Sequence, residues 1–197
     1  GGVNLKIGII GIYFGTLPNY FSLWLKSCET NKEIDFLIFT DIDKPTELLP
    51  YNVRWIPYTL EMMRKKATEL LGFEAALNSP YKCCDFRPFY GELFSEYITE
   101  YDYWGHCDFD LIWGDLTEFF CSYKLENYDK FLPLGHLSLY KNSRDNNRRY
   151  MLEGSRCGDY LQAFSQRRHL SFDEEGGVGS IFLKHNLPYF TERIFAD

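Results

Sequence analysis

Apolar positions along the chain fall into blocks of two lengths, and the two lengths alternate. Lys6 to Phe14 (K-I-G-I-I-G-I-Y-F) is almost unbroken apolar sequence of strand length and predicts a buried strand. Gly15-Thr16-Leu17-Pro18 follows as a loop, with Pro18 suited to opening a helix. Tyr20, Phe21, Leu23, Trp24 and Leu25 predict a helix from Asn19 to about Asn31. Ile34 to Phe39 is a second buried strand, running into Thr40-Asp41 and the turn chemistry of Asp41–Pro45. Val53 to Pro57 predicts a third strand, and Leu60 to Leu71 a helix closed by Gly72. Phe89, Leu93, Tyr97 and Tyr101 fall four apart and predict an amphipathic helix over 89–101. Tyr103 to Asp108 predicts a strand that runs into Asp108-Phe109-Asp110. A short helix over Asp115–Phe120 and a strand over Gly135–Tyr140 come next. Helices near Asn146–Glu153, Tyr160–Gln166 and Glu174–His185 complete the pattern.

Strands alternating with helices predict an α/β sheet with helices on its faces. No repeat, linker or composition break divides the chain, so residues 3–197 read as a single domain. Gly1-Gly2 reads as a remnant of cleavage or cloning and takes no part in the fold reasoning. Such sheets bind ligands at the carboxyl ends of their strands, here Tyr13–Gly15 and Thr40–Asp43. Gly8, Gly11 and Gly15 do not make G-x-G-x-x-G, which disfavours a nicotinamide or flavin domain.

Composition narrows the partners. With 45% hydrophobic residues in 197, the chain can bury a full core. The net charge of −7 argues against nucleic acid, which requires a basic face. No apolar run reaches the roughly 18 residues of a membrane span. The six cysteines include no C-x-x-C pair, so they read as reduced thiols of a cytoplasmic protein rather than a zinc site. Arg144, Arg148, Arg149, Arg156, Arg167 and Arg168 make the back half locally basic, which allows peripheral association with an anionic inner membrane face or a phosphorylated acceptor. A solvated helix face accounts for them equally simply.

The chemistry concentrates between residues 81 and 116. Two acids one residue apart at a strand end, Asp108 and Asp110, can share a hard cation. Lys82, Asp85 and Arg87 precede Pro88 and are expected together at a helix start, where anions are favoured. Arg87 can fork onto phosphate and Asp85 can accept from sugar hydroxyls. The plainer alternative makes Asp85 a cap and Arg87 a surface ion-pair partner. His106 reads first as a hydrogen-bonded structural histidine, Trp104 and Trp113 as core, and Asp115 as a helix cap. Asp173 and Glu174 are the candidates for a catalytic carboxylate base, against a role as first-turn acids of the following helix.

The block D-F-R-P-F-Y-G-E-L-F followed by Y-D-Y-W-G-H-C-D-F-D-L-I-W-G-D-L resembles bacterial GT-A-type glycosyltransferases. It is similar, more narrowly, to glycosyltransferase-like proteins of polysaccharide and capsule loci. The opening I-I-G-I-Y-F-G-T-L-P-N-Y-F, the F-T-D after the second strand and G-H-L-S-L-Y-K-N at 135–142 fit the same family. The resemblance runs from about Lys6 to about Glu175. It implies a GT-A-like, Rossmann-like mixed sheet and metal-dependent transfer of a sugar from a nucleotide-diphosphate donor. The implied donor is a UDP-sugar, the cofactor Mn²⁺ or Mg²⁺, and the acceptor a glycan or lipid-linked sugar. By the same resemblance Asp110 is the direct metal ligand, with Asp108 beside it and nearer the donor ribose or sugar. Asp85 matches the donor-sugar binder and Arg87 its charged neighbour, with Lys82 alongside. Tyr13, Phe14, Gly15 and Asp41 match the nucleoside edge. Members of the family are longer, so the acceptor-binding part is expected to be shortened at the C-terminus. Two rivals remain: a sugar nucleotidyltransferase, whose basic loop Gly15–Pro18 lacks, and a non-catalytic nucleotide-sugar or glycan binder on a decayed transferase fold.

Overall fold

A computed structural model describes residues 4–193. Strands β1 (Ile7–Tyr13), β2 (Ile34–Thr40) and β3 (Val53–Pro57) alternate with helices α1 (Phe21–Thr30) and α2 (Leu60–Leu71). A 3₁₀ segment, Pro80–Phe89, runs into the single turn α3 (Tyr90–Leu93) and leads to β4 (Tyr103–Cys107). Helix α4 (Leu116–Ser122), strands β5 (Lys130–Phe131) and β6 (Leu137–Lys141), helices α5 (Tyr160–Ser165) and α6 (Val178–Lys184) and strand β7 (Tyr189–Phe190) follow. The strands form one seven-stranded sheet in the order β3-β2-β1-β4-β6-β5-β7. Strands β1 to β4 run parallel; β6 is antiparallel to β4 and β5.

The central strand explains its own sequence. β1 is paired on both edges and covered on both faces, so an unbroken apolar run is what such a position requires. One face packs Trp24, Phe36, Phe109, Trp113 and Phe120; the other packs Phe39, Phe86, Phe89, Tyr90, Trp104 and Phe164. Thr59 caps α2 through Met62 N–H, and Gly72 ends it with φ +80. Asp115 caps α4 by accepting from Glu118 N–H.

Four expectations are corrected. The helix over 89–101 does not form: α-helix is confined to Tyr90–Leu93, with 3₁₀ turns before it and at Ser95–Tyr97. Phe89, Tyr90, Leu93 and Phe94 are each at most 1% exposed, so burial surrounds the segment and no single stripe faces a core. Pro88 lies inside the 3₁₀ segment instead of opening a helix, and Pro80 holds the first turn. The segment 146–151 is likewise 3₁₀, and α6 begins only at Val178, beyond Gly176-Gly177. The two-residue strands β5 and β7 leave no periodic signal and exist through their pairing partners.

Candidate functional site

β1 pairs with β2 on one side and β4 on the other, all parallel: the chain runs outward from β1 through β2 to β3 and then returns to add β4 on the opposite side, which makes the β1–β4 junction a topological switch point. A cavity of about 390 Å³ opens there. Tyr13 and Phe14 from the end of β1, Tyr20, Tyr81 and Cys84, and Arg87, Asp108, Phe109 and Asp110 all line it. A second pocket, of about 50 Å³ beside Leu5, Ile34 and Phe120, is too small for a cofactor-sized ligand.

Phe109 sets the two acids. Its ring packs 4.6 Å from Trp24 and 5.4 Å from Tyr13, which anchors the residue between Asp108 and Asp110 in the core. Gly11 makes room for that ring: a Cβ there would sit 2.5 Å from Phe109 Cζ. Asp110 is exposed, and the Asp108 side chain is 39% exposed.

Arg87 reaches the cavity from beneath. Its guanidinium pairs with Asp108, donates to Gly135 O at 2.9 Å and meets Asp173 Oδ2 at 3.2 Å. Burial alone would lower the Arg87 pKa, yet facing groups, Cys84, Asp108 and Asp173 among them, raise it. Burial pushes the Asp173 carboxyl up to about 6, against the pull of Arg87. The 3.2 Å ion pair and the raised value point opposite ways. Desolvation wins because Asp173 is only 2% exposed. Gly135 is where these groups meet: a Cβ on it would lie 2.7 Å from Arg87 Nη1, 2.8 Å from Asp173 Oδ2 and 3.2 Å from Glu174 Oε1.

His106 is fully buried and donates from Nδ1 to Gly135 O at 3.1 Å, a tautomer set by the carbonyl. Burial, reinforced by Arg87, drives its pKa well down, so it is a neutral structural group. His136 stands opposite Asp108 across the β4–β6 ladder, its carbonyl accepting from Asp108 N–H at 3.1 Å.

Four predicted binders, Lys82, Asp85, Asp41 and Gly15, do not line the cavity. Lys82 and Asp85 are 1% and 0% exposed and pair at 2.7 Å, sealed under the cavity. Asp85 also accepts from Leu170 N–H and Phe172 N–H, each at 2.9 Å, and Lys82 donates to Arg168 O at 2.6 Å. Together they hold the 168–172 loop, and neither offers a free polar atom to a sugar. Asp41 accepts from Gly15 N–H at 3.1 Å and fixes the loop beyond β1 instead of lining the cavity.

Asp85, His169 and Asp173 each offer a ligand atom, all within 4.8 Å of one another. A dication there would face the Lys82 ammonium and the Arg87 guanidinium, which already neutralise the two carboxylates. Asp108 and Asp110 are hard oxygen donors on a solvent-open wall and fit a hydrated dication better. Sequence reading missed Gly135, Phe109, Tyr20 and Tyr81. Glycines and aromatics occur throughout this chain, and only spatial convergence marks these four.

The six cysteines are free, and no helix among the described residues is long and apolar enough to cross a membrane. No curated protein matches the chain. Residues 9–197, nearly the whole chain, match the model of a family of unknown function, DUF6625, and the protein belongs to that family.

Proposed function

We propose that this protein is a metal-dependent glycosyltransferase of GT-A type. It moves a sugar from a nucleotide-diphosphate donor, a UDP-sugar, to a glycan or lipid-linked acceptor in surface polysaccharide synthesis. The supporting observation is convergence. Tyr13, Phe14, Arg87, Asp108 and Asp110 come from three separate stretches and line one cavity at the switch point of the sheet. Asp108 and Asp110 would hold Mn²⁺ or Mg²⁺. Such an ion, when bound, offsets the charge that builds on a departing diphosphate.

The protein's own groups divide the remaining work. Tyr13 and Phe14 give the nucleoside a flat apolar wall. Arg87 can exchange Asp108 for a phosphate oxygen without leaving its seat on Gly135 O and Asp173. Of the two carboxylate base candidates, Glu174 is partly exposed and reachable by an acceptor hydroxyl. Asp173 is sealed and holds Arg87.

Calorimetry with UDP is the test. Affinity is expected to be at least ~10-fold higher with Mn²⁺ than with EDTA, and Asp110→Asn is expected to abolish that difference. The Arg87–Asp108 ion pair supports a second reading, a non-catalytic nucleotide-sugar binder in which Arg87 stands where a cation would. UDP binding that ignores Mn²⁺ overturns the first reading and favours the second.

A further inference from the structure

Strand β5 buries a lysine that no acid neutralises. Lys130 is 0% exposed, and among the described residues no carboxylate lies within 4.0 Å of its amine. Nζ sits 2.7 Å from Ser138 Oγ, 3.0 Å from the Tyr140 hydroxyl and 4.4 Å from the Tyr140 ring centre. Facing it are Tyr140 from β6, Tyr189 from β7, His106 from β4 and Asp173 from the loop before α6.

None of the amine's partners carries a countercharge. Lys130 donates to Ser138 Oγ and to the Tyr140 hydroxyl, and Ser138 O–H in turn donates to Leu132 O at 3.0 Å. An ammonium buried with only neutral hydroxyls around it is costly, which favours the neutral amine. Burial acts in the same direction, lowering the Lys130 amine to about 7 while Asp173 opposes it.

This cluster stands at the base of the turn that serves the site. Leu132 has φ +76, a left-handed conformation costly for a residue with a branched side chain, and its carbonyl accepts from Ser138 O–H at 3.0 Å, beside Phe131 O at 3.3 Å. The same turn carries Gly135, whose carbonyl takes both Arg87 and His106, and His136, whose carbonyl takes Asp108 N–H. We propose that Lys130 is an uncharged amine that positions the 132–136 turn, and through it Arg87 and Asp108, by its hydrogen bonds to Ser138 and Tyr140. The inference concerns the site's geometry and holds whatever ligand the site takes.

NMR of the full chain with ¹³Cε-labelled lysine, titrated from pH 6 to 11, tests the charge. One lysine is expected to titrate near 7, about 3 units below an ordinary lysine. A set in which every lysine titrates together near 10 overturns the assignment. Ser138→Ala tests the positioning, because it leaves Lys130 in place and cuts its link to Leu132. The Arg87 guanidinium ¹⁵N signal is expected to shift, with hydrogen exchange at least ~10-fold faster and the circular dichroism unchanged. Lys130→Met, similar in length and apolar, is expected to give the same Arg87 shift. Should Lys130→Met fail to fold, Ser138→Ala alone decides. An Arg87 signal unmoved in Ser138→Ala overturns the positioning role. Neither readout uses UDP, so failure here leaves the glycosyltransferase reading intact, and its failure leaves this inference intact.

Discussion

The 3₁₀ segment Pro80–Phe89 carries two cation–carboxylate clusters, and they differ in what surrounds them. Lys82 and Asp85 pair at 2.7 Å with almost no exposure, and every remaining lone pair in use on Asp85 takes a backbone N–H of the 168–172 loop. Arg87 pairs with one sealed acid, Asp173, and with one that opens to the cavity, Asp108. The first cluster is complete without a ligand. The second has a charge-bearing face still turned to solvent. Two cations five residues apart on one short segment, each paired with aspartate, thus become a loop anchor or a binding group according to whether a low-dielectric wall closes over them.

The largest effect expected from this contrast is on the sealed pair. Asp85→Ala strands the Lys82 ammonium and two backbone N–H groups in the interior, at a cost of about 3–5 kcal/mol. For a chain of this size that lowers Tm by roughly 6–20 °C, measured by thermal denaturation. A melting point within about 2 °C of wild type would move Asp85 out of the structural class.

Arg87→Ala sharpens the same comparison with a smaller loss of stability, about 1–3 kcal/mol. The freed Asp173, already raised to about 6 by burial, takes up a proton once Arg87 is gone, which limits the cost. UDP affinity with Mn²⁺ should fall at least ~10-fold, measured by calorimetry. A variant that melts far lower while binding UDP normally would make Arg87 a second loop anchor.

The smallest effect is a slope. The folded-state Asp173 pKa, about 6, stands above its ordinary 3.8, so ionising the group opposes folding. That penalty is absent below about pH 4, grows between 4 and 6 and is complete above 6. The stability of wild type relative to Asp173→Asn should therefore fall as pH rises from 4 to 6. Urea unfolding across that range reads it, and a flat difference would show that Arg87 offsets the desolvation fully.

Local sequence determined a good deal. β1, β2, β3, α2 with its Gly72 stop, and α4 with its Asp115 cap need only short-range signals: an apolar run, a 3.6-residue stripe, a capping oxygen. The D-F-D acids at a strand end were legible for the same reason, and so were His106, Trp104 and Trp113 as buried structural groups. Tertiary structure alone decided the rest. The 89–101 stripe became one α turn flanked by 3₁₀ turns, because its neighbouring apolar residues Phe89, Tyr90, Leu93 and Phe94 are all buried in the same core and leave no single helical stripe. Lys82 and Asp85 became an anchor and not a sugar site because the distant 168–172 loop supplies their partners. β5 and β7 exist only by pairing, and Gly135 matters only because Arg87, Asp173 and Glu174 converge on it. Periodicity and capping act over a few residues and can be read along the chain. Desolvation and convergence depend on what the rest of the chain brings to the same point in space.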